Sequence, residues 1–346
     1  MNEKVSVIVP VFNGEKYIED LIISLRNQTL ADIEIIFVDD GSEDKTGEII
    51  KNYIQQDDRI KYFYQKNQGG GAARNLGISK AKGDYLICLD SDDLYENTLI
   101  EDLYKQAEKT NADIVICKYK IWNQTTGRIS ENKGINHKIL PKKEVFSVND
   151  VQNILQITNP GPCNKLYRRE FVLKNNLKYS RTRIIDDLKF CMVALILAKK
   201  ITTVNKELST YRYQIEGSGS KNREQKLANS ILVYMETYVE FCARGLWGKY
   251  KDLYFNQVTE SLKYEISFPV SPMVIALIEG FLFSQLPFAN LKHKEIQKLF
   301  NIDKIRRNYA NYLLLSALCL GKNKNANEKF KQHKHRLQNL KSIGVI

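Results

Sequence analysis

An alternation of strand-like and helix-like segments runs through about the first 125 residues of the chain. VSVIVPVF at 5–12 is rich in Val and Ile, as buried strands are, and the segment 13–29 then places apolar residues at helical spacing. Further strands are predicted at 33–38, 60–64, 84–89 and 112–122, with helical segments in the intervals. Repeated β-α units imply a mostly parallel sheet with helices on both faces, so the sequence predicts an α/β domain.

Polar residues follow three of the predicted strands. The first strand ends in Pro10 and Asn13, the second in DDGS at 39–42 and the fourth in DSDD at 90–93. In such sheets ligands bind outside the carboxyl ends of the strands, so these clusters are expected to lie at one edge and to form a binding site. Within the second cluster, Ser42 is also predicted to cap the following helix.

Asp90, Ser91 and Asp92 form a DxD tripeptide, in which alternate carboxylates in an extended turn can face the same ligand. A partial set of hard oxygen ligands suits Mg²⁺ or Mn²⁺, which keeps open positions for substrate phosphates. An acidic surface turn that favours the N-terminus of the next helix also explains the tripeptide. From the residues alone, both interpretations remain open.

GGGAARN at 69–75 combines glycines, backbone N–H groups and Arg74 near the start of a helix, which is the chemistry expected at a phosphate site. A dinucleotide-binding fingerprint would follow the first strand, whereas this segment follows the third. The sequence therefore argues against a dinucleotide. A flexible turn without a ligand remains an alternative.

The length of 346 residues and the hydrophobic content of 43% predict a globular protein of roughly two domains. The predicted boundaries are 1–222 for the α/β domain and 223–346 for an all-helical second domain, whose segments have apolar residues at helical spacing. Tyr and Phe residues in these helices are expected to pack in a core rather than to stack on sugars. The six cysteines include no CxxC pair, which indicates buried thiols in a reducing compartment rather than disulfides or zinc ligands.

Most of the net charge of +12 lies in a basic tail at 291–346. A solvated surface, an anionic membrane, a partner protein and an oligomer interface all fit such a tail, and the chain lacks any recognisable nucleic-acid-binding module. The apolar N-terminal stretch is too short for a signal peptide or a membrane span. A cytoplasmic protein without a nucleic acid partner is therefore predicted, with peripheral contact at the inner face of the cell membrane as an alternative.

Four segments of the chain carry motifs whose order and spacing form a specific combination. They are VSVIVPVFNGEKYI, FVDDGSEDKT, GGGAARNLGI with the LDSDD that follows it, and IIDDLKF at 184–190. Together they resemble the family 2 glycosyltransferases, and the resemblance covers about the first 215 residues. It implies a GT-A fold, which is a Rossmann-like, mostly parallel domain that binds nucleotide-sugars. Bacterial members of this family make cell-surface polysaccharides, teichoic-acid decorations or glycoprotein glycans, usually from UDP-sugars.

The resemblance also implies a role for each matching position. The residues implied to bind the nucleotide-sugar are Pro10, Phe12, Asn13, Asp39, Asp40, Arg74, Asp90, Ser91, Asp92 and Arg212. Asp39 would pair with the uracil, Arg74 would lie near the nucleotide, and Asp90 would approach the ribose or the donor sugar. Asp92 would hold the divalent cation, Mn²⁺ or Mg²⁺, that bridges both phosphates. The role of Asp93 stays open.

Asp187 occupies the second position of the family's Glu-Asp pair, and Asp186 stands where the family usually has Glu. The resemblance makes Asp187 the catalytic base, which takes the proton of the acceptor hydroxyl in an in-line, inverting displacement. From the residues alone, two acids before an apolar helix also fit a favourable interaction with the helix dipole.

Two further segments resemble parts of the family that handle substrates. The stretch 160–172 precedes the base, and Cys163 stands in it where the family usually carries Trp. The segment 210–220 resembles a strand and loop that can fold over the donor diphosphate, with Arg212 and Ser218 as candidate contacts. Without the resemblance, a surface loop with a solvated arginine is the alternative.

The predicted activity is metal-assisted transfer, with inversion, of a hexose or N-acetylhexosamine from a UDP-sugar to a hydroxyl of a cell-surface glycan, lipid-linked or glycoprotein acceptor. A sugar nucleotidyltransferase or another nucleotide-sugar-binding enzyme is the alternative. The former would carry a Gly-rich loop with Arg or Lys directly after the first strand, where this chain has PVFNGEKY. A DxDxT phosphatase would need Thr at the position of Leu94, and a basic adaptor would explain the tail alone.

Overall fold

The computed structural model describes residues 3–182, 184–213 and 223–266. The chain divides into two compact units, of which the first ends at Lys221 and the second begins at Asn222. The predicted basic tail at 291–346 and the candidate contact Ser218 lie outside the described residues.

The described part of the first unit contains a sheet of nine strands and the helices that cover it. In chain order the elements are β1 (Val5–Val11), α1 (Ile18–Arg26), β2 (Ile33–Asp39), α2 (Thr46–Ile54), β3 (Ile60–Tyr64), α3 (Gly70–Lys80), β4 (Tyr85–Cys88), β5 (Leu94–Tyr95), α4 (Leu99–Thr110), β6 (Ile114–Asn123), β7 (Ile129–Lys133), β8 (Lys165–Arg168), α5 (Arg169–Lys174), α6 (Asp187–Leu197) and β9 (Ile201–Tyr213). Two short 3₁₀ turns, Ile154–Gln156 and Pro162–Asn164, precede β8.

The strands lie in the order β3-β2-β1-β4-β8-β6-β9-β5, with β7 paired to β6. β1 runs parallel to β2 and β4, and β2 runs parallel to β3. The α/β prediction is confirmed, with parallel pairing of the first four strands. β8 is antiparallel to both of its neighbours, β4 and β6. The sequence did not predict it, because a strand of four residues has too little periodicity to be recognised.

Side chains at the ends of β1 and β2 divide between the two faces of the sheet. One face carries the buried core that β1 and β2 share with α1, α2 and α4, and Val11 belongs to this core. Paired residues of parallel strands share a face, and Val11 is paired with Asp39, so Asp39 points to the same face. Pro10 and Asp40 are each one position away and point to the opposite face, on which α3 packs.

α2 begins later than the sequence predicts. It starts at Thr46, whose N–H donates a hydrogen bond to Asp44 Oδ1 at 3.0 Å. The hydroxyl of Ser42 instead accepts a hydrogen bond from the backbone N–H of Asn13 at 2.9 Å. The prediction of Ser42 as the helix cap is therefore wrong, because its side chain joins the ends of two strands.

The described part of the second unit consists of two helices, α7 (Arg223–Ala243) and α8 (Trp247–Ile266). Gly245 has a φ of +68° in the turn between them, a left-handed conformation that glycine adopts without strain. Tyr254 packs edge to face against both Tyr234 and Trp247, so these aromatic side chains form a core, as their helical spacing predicts. Among the described residues, no helix is both long enough and apolar enough to cross a membrane.

Candidate functional site

Asn13 joins the loops that follow β1 and β2. Its backbone is left-handed, with a φ of +49°, a conformation that Asn adopts more readily than most residues. Its N–H donates to Ser42 Oγ at 2.9 Å, and its Oδ1 accepts from the N–H of Glu43 at 2.9 Å. Phe12, which precedes it, is left 50% exposed at the tip of the strand. The two loops therefore form one rigid rim with an aromatic ring open to solvent.

Asp39 is buried on the α2 face of the sheet, where both of its carboxylate oxygens are hydrogen-bonded. Oδ1 accepts from the N–H of Ser42 at 2.8 Å, and Oδ2 accepts from the hydroxyl of Tyr62 at 2.6 Å. It borders a cavity of about 490 Å³ that residues of α2 and β3 also line. The sequence interpretation gave Asp39 the pairing with the uracil and counted Pro10 and Phe12 among the residues that bind the nucleotide-sugar. The side chains of Asp39 and Pro10 point to opposite faces of the sheet at neighbouring strand ends.

Asp40 lies on the α3 face, the same face as Pro10. Its Oδ1 accepts from the side-chain amide of Gln65 at 2.7 Å and from the N–H of Gln68 at 2.8 Å, and its Oδ2 accepts from the N–H of Gly69 at 2.8 Å. Asp40 thus holds the loop that leads into α3. The first backbone amide of the glycine-rich stretch 69–75, to which the sequence gave a phosphate-binding chemistry, is therefore bonded to this carboxylate.

Arg74 connects two acidic positions that are far apart in sequence. Its Nη1 donates to Asp186 Oδ2 at 2.5 Å and its Nη2 to Asp90 Oδ1 at 2.6 Å, while the guanidinium lies 5.4 Å from the ring centre of Tyr179. Burial opposes the charge of Arg74, but the carboxylates of Asp186 and Asp90 outweigh it and raise the pKa of Arg74 above its ordinary value. The DxD turn and the start of α6 therefore meet at this arginine.

Polar groups of three other residues hydrogen-bond to Asp90 of the DxD turn and to Asp93, which follows the turn. Asp90 N donates to the hydroxyl of Tyr95 at 2.9 Å, and that hydroxyl donates to Asp90 O at 3.0 Å. The thiol of Cys163 donates to Asp90 Oδ2 at 3.1 Å. Asp93 is buried and accepts a hydrogen bond from the N–H of Arg212 at 2.9 Å, yet burial and the charges of neighbouring carboxylates raise its pKa well above the ordinary value.

Asp92 differs from its neighbours because its carboxylate is half-buried and accepts no hydrogen bond from another residue in the described part of the chain, although the charges of Arg212 and Arg74 act on it. Burial raises the pKa of Asp92 to about 6, and the charge of Asp90 adds to this effect. A positive charge near Asp92 would relieve this unfavourable environment.

A metal ion fits the donor atoms of this turn. Ligand atoms of Asp90, Asp93 and Cys163 lie within 4.8 Å of one another, which makes them a candidate group for an ion. Asp92, the predicted ligand, is not part of this group. It lies between Asp90 and Asp93 in the sequence, and its carboxylate accepts no hydrogen bond from another described residue. Carboxylate oxygens suit a hard divalent cation, while the thiol is a softer donor, so the group does not identify the metal.

Asp187 begins α6 beside Asp186, and no donor among the described residues bonds to its carboxylate. Burial raises the pKa of Asp187 to about 6; the charges of Asp186 and Asp90 act in the same direction, and those of Arg74 and Lys165 oppose them. A carboxylate with free oxygens and such a pKa can accept a proton near neutral pH, as a general base must.

Arg212 and Ser91 complete the predicted set. The guanidinium of Arg212 lies 5.0 Å from the ring centre of Tyr17, and its Nε is buried without a hydrogen-bond partner among the residues that the structure describes. Its main chain is tied to the DxD turn through Asp93. Ser91 is half-buried in that turn. The structure therefore brings Asp90, Ser91, Asp92 and Arg212 together, and Arg74 joins them to Asp186.

Lys165 lies in the stretch 160–172, which resembles a part of the family that handles substrates. It is fully buried, and its Nζ donates to Asn159 O at 2.6 Å, Gly161 O at 2.5 Å and Asn164 Oδ1 at 2.7 Å. It orders the segment that presents Cys163 to Asp90. The resemblance keeps this lysine without giving it a role, and no local spacing predicts its burial, since a single lysine before a short strand is usually a surface residue.

Comparison with known proteins gives a consistent set of relatives. Residues 6–174 match the family described as Glycosyl transferase family 2. The Glycosyltransferase GlyG of Streptococcus pneumoniae serotype 4 is 35% identical over 223 residues, which span 61% of this chain and 71% of GlyG. The Cholesterol galactosyltransferase of Borreliella burgdorferi is 34% identical over 261 residues, which span 72% of this chain and 71% of that protein.

A solved structure shares the architecture. Residues 1–349 of TarS from S. aureus, in complex with UDP-GlcNAc, align with a TM-score of 0.69 and 21% identity. The alignment covers 95% of this chain and 92% of the TarS chain. At this identity the likeness shows the fold, and the predicted GT-A-like fold is confirmed.

Proposed function

The chain belongs to glycosyltransferase family 2, and on this basis we propose that it transfers a hexosyl or N-acetylhexosaminyl group from a UDP-sugar to a hydroxyl group, with inversion at the anomeric carbon. The proposed acceptor is a cell-surface glycan, a lipid-linked glycan or a glycoprotein. The description of TarS as bound to UDP-GlcNAc supports a UDP-sugar as the donor.

The observation that carries this proposal is the bridge made by Arg74. It hydrogen-bonds to Asp90 of the DxD turn and to Asp186, the residue directly before Asp187. A turn suited to a nucleoside diphosphate and a carboxylate suited to a base therefore belong to one site. An in-line displacement needs both, since the leaving group departs from one side of the sugar and the acceptor attacks from the other.

Asp187 takes the proton of the acceptor hydroxyl in the proposed reaction. Its pKa of about 6 is still below neutral pH, so Asp187 is mostly ionised there. Because this pKa is above the ordinary value, the carboxylate is also basic enough to accept the proton as the new bond forms. Asp186 stays paired with Arg74, so the negative charge beside the base is partly compensated. Phe12, Asn13 and Pro10 form the rim against which we place the nucleoside.

Asp92, with Asp90 and Asp93, would hold Mn²⁺ or Mg²⁺ in the loaded enzyme. When bound, the cation supplies positive charge to the diphosphate that leaves with the nucleoside. Arg212 contributes to the same region, because its buried Nε has no hydrogen-bond partner among the described residues and is available to a phosphate oxygen. We expect UDP binding, followed by calorimetry, to weaken when EDTA removes divalent metal. Equal affinity with and without EDTA would contradict the role given to Asp92.

A panel of UDP-sugars tests the donor and the base together. Slow hydrolysis of one donor in the presence of Mn²⁺ needs no acceptor and would identify the sugar. Asp187→Asn should then reduce donor hydrolysis and transfer at least about 100-fold, because the base is lost, while the affinity for UDP changes little. Asp58→Asn, at an exposed position, is the matched control and should behave as the wild type. Turnover by Asp187→Asn at the wild-type rate would remove it as the base.

The location of the protein is a separate part of the proposal. We propose that it is cytoplasmic, that the basic tail at 291–346 contacts the anionic inner face of the cell membrane, and that copies of the chain can associate. Removing the residues after Gly321 should reduce co-sedimentation with vesicles rich in phosphatidylglycerol and leave UDP binding intact. Unchanged vesicle binding would contradict membrane contact through the tail, and analytical ultracentrifugation would measure self-association.

A further inference from the structure

Asn75 of α3 bonds through its side chain to Tyr179, at the start of the segment 179–187 that ends at Asp187. Asn75 Nδ2 donates to Tyr179 O at 3.0 Å, and Tyr179 N donates to Asn75 Oδ1 at 2.9 Å. One primary amide thus satisfies both backbone polar groups of one residue, as an adjacent strand would. The two residues are 104 positions apart in sequence, so this pairing is a tertiary anchor.

The backbone of α3 reaches the same segment one helical turn earlier, at Gly71. A Cβ atom added at Gly71 would lie 1.9 Å from Ser180 O and 3.0 Å from Asp186 Cβ. No larger residue fits at this distance, so the helix and the segment are in direct contact. Gly71 and Asn75 are four residues apart and share one face of α3, and Arg74 binds Asp186 from the same helix.

Two described residues near the ends of this segment are bonded to each other. Ser180 N donates to Asp186 O at 2.9 Å. Ile185 has a φ of +63°, a left-handed conformation that is unfavourable for a β-branched residue and persists only where the surroundings impose it. The place of Asp187 at the start of α6 therefore depends on how Tyr179 and Ser180 are held.

We propose that Asn75 is a positioning residue for Asp187 and acts on it through the segment 179–186. Asn75 does not touch the reacting atoms in this scheme; it fixes the distance between α3 and the start of α6. The inference rests on the proposed role of Asp187 as the base. Because the rate of an in-line displacement depends steeply on the placement of the base, loosening this anchor lowers turnover more than donor binding.

Asn75→Ala removes both hydrogen bonds and tests the proposal in the full-length protein. In the donor-hydrolysis assay we expect kcat to fall about tenfold or more, with KM for the donor and the Kd for UDP within about twofold of the wild type. Hydrogen exchange should become faster in the segment 179–187 and stay unchanged in β1. Asn97→Ala, at an exposed turn, is the matched control for loss of an asparagine side chain.

Gly71→Ala is a second, independent variant, because it pushes Ser180 away while Asn75 is intact. It should give the same separation of kcat from KM, and it keeps the proposal testable if Asn75→Ala does not fold. Wild-type kcat in either folded variant, or a loss of UDP affinity as large as the loss of kcat, overturns the inference. Asp187→Asn in the same assay separates the two claims: if it retains turnover the proposed base is wrong, whereas if it is inactive and Asn75→Ala is normal only the positioning role fails.

Discussion

Arg74→Met is the substitution whose effect on stability the structure defines best. The side chain of Arg74 is 9% exposed. It lies between the carboxylates of Asp186, which is 14% exposed, and Asp90, which is 28% exposed. Methionine fills a similar volume but leaves both carboxylates without their cation. Removal of one partner of a buried ion pair costs about 3–5 kcal/mol, and the partial exposure of Asp90 places the expected loss near the lower end, at about 3 kcal/mol.

The sign of the pH dependence follows from Asp186. Burial already raises its pKa in the folded protein, although Arg74 opposes the shift, and loss of Arg74 raises this pKa further. A carboxyl whose pKa is higher in the folded than in the unfolded state opposes folding when it is ionised, and this penalty disappears as the pH falls through the folded-state pKa. The cost of Arg74→Met should therefore be larger at pH 8 than at pH 5.

Urea unfolding measures this cost if the signal comes from the first unit alone. The chain has two tryptophans, Trp122 in β6 and Trp247 in the second unit. Trp247→Phe therefore leaves Trp122, in the sheet of the first unit, as the single fluorescent reporter. In that background Arg74→Met should lower the urea midpoint at pH 8 by about 1 M or more. Lys206→Met, which removes an exposed partner of Asp102, is the control and should cost less than about 1 kcal/mol. A loss below about 1 kcal/mol for Arg74→Met, or an equal loss at both pH values, would refute the electrostatic reasoning.

Two further predictions concern activity and nucleotide binding. Donor hydrolysis should rise with pH through an inflection near the pKa of about 6 given for Asp187, because the base must lose its proton before it can act; a rate that is flat between pH 5 and 8 would contradict this. Asp40→Asn should weaken UDP binding at least about tenfold in calorimetry, because the amide group cannot accept from Gln65, Gln68 and Gly69 in the same way and the loop before α3 is released. Asp58→Asn, at an exposed position, is the control and should change UDP affinity less than about threefold; equal losses for the two variants would contradict the role given to Asp40.

The first four strands could be predicted because each is a run of apolar residues long enough to show its type. β8 could not, since its four residues, KLYR, pair with strands that are far away in sequence. The start of α2 was misplaced for a related reason: Ser42 has the side chain of a good cap, but its partner is Asn13 in the loop that follows β1. Local patterns thus identify elements, while the contacts between elements decide which polar side chain serves which purpose.

The candidate site shows the same limit. The resemblance pointed to Arg74, Asp90 and Asp187, but the bridge from Arg74 to Asp186 spans 112 positions and no local spacing predicts it. The placement of Asp39 was open to reasoning in part, because side chains alternate along a strand and Asp39 and Asp40 must face opposite sides. Gly77 of α3 packs against Ile8 on one face of β1, and the register of β1 with β2 shows which residues of β2 share that face. Only the structure supplies both.

Arg74 also explains how this edge of the sheet can hold so many acids. It is hydrogen-bonded to one carboxylate of each group, Asp90 in the DxD turn and Asp186 before the base. Asp92 and Asp187 are left with pKa values raised to about 6, chiefly by burial. These are the two positions at which the proposed reaction brings positive charge from outside the chain, a cation at Asp92 and the acceptor's proton at Asp187. A second arginine close to Asp187 would stabilise its ionised form and lower its pKa, and the carboxylate would then be a weaker base. The incomplete compensation of these two carboxylates therefore suits the proposed chemistry.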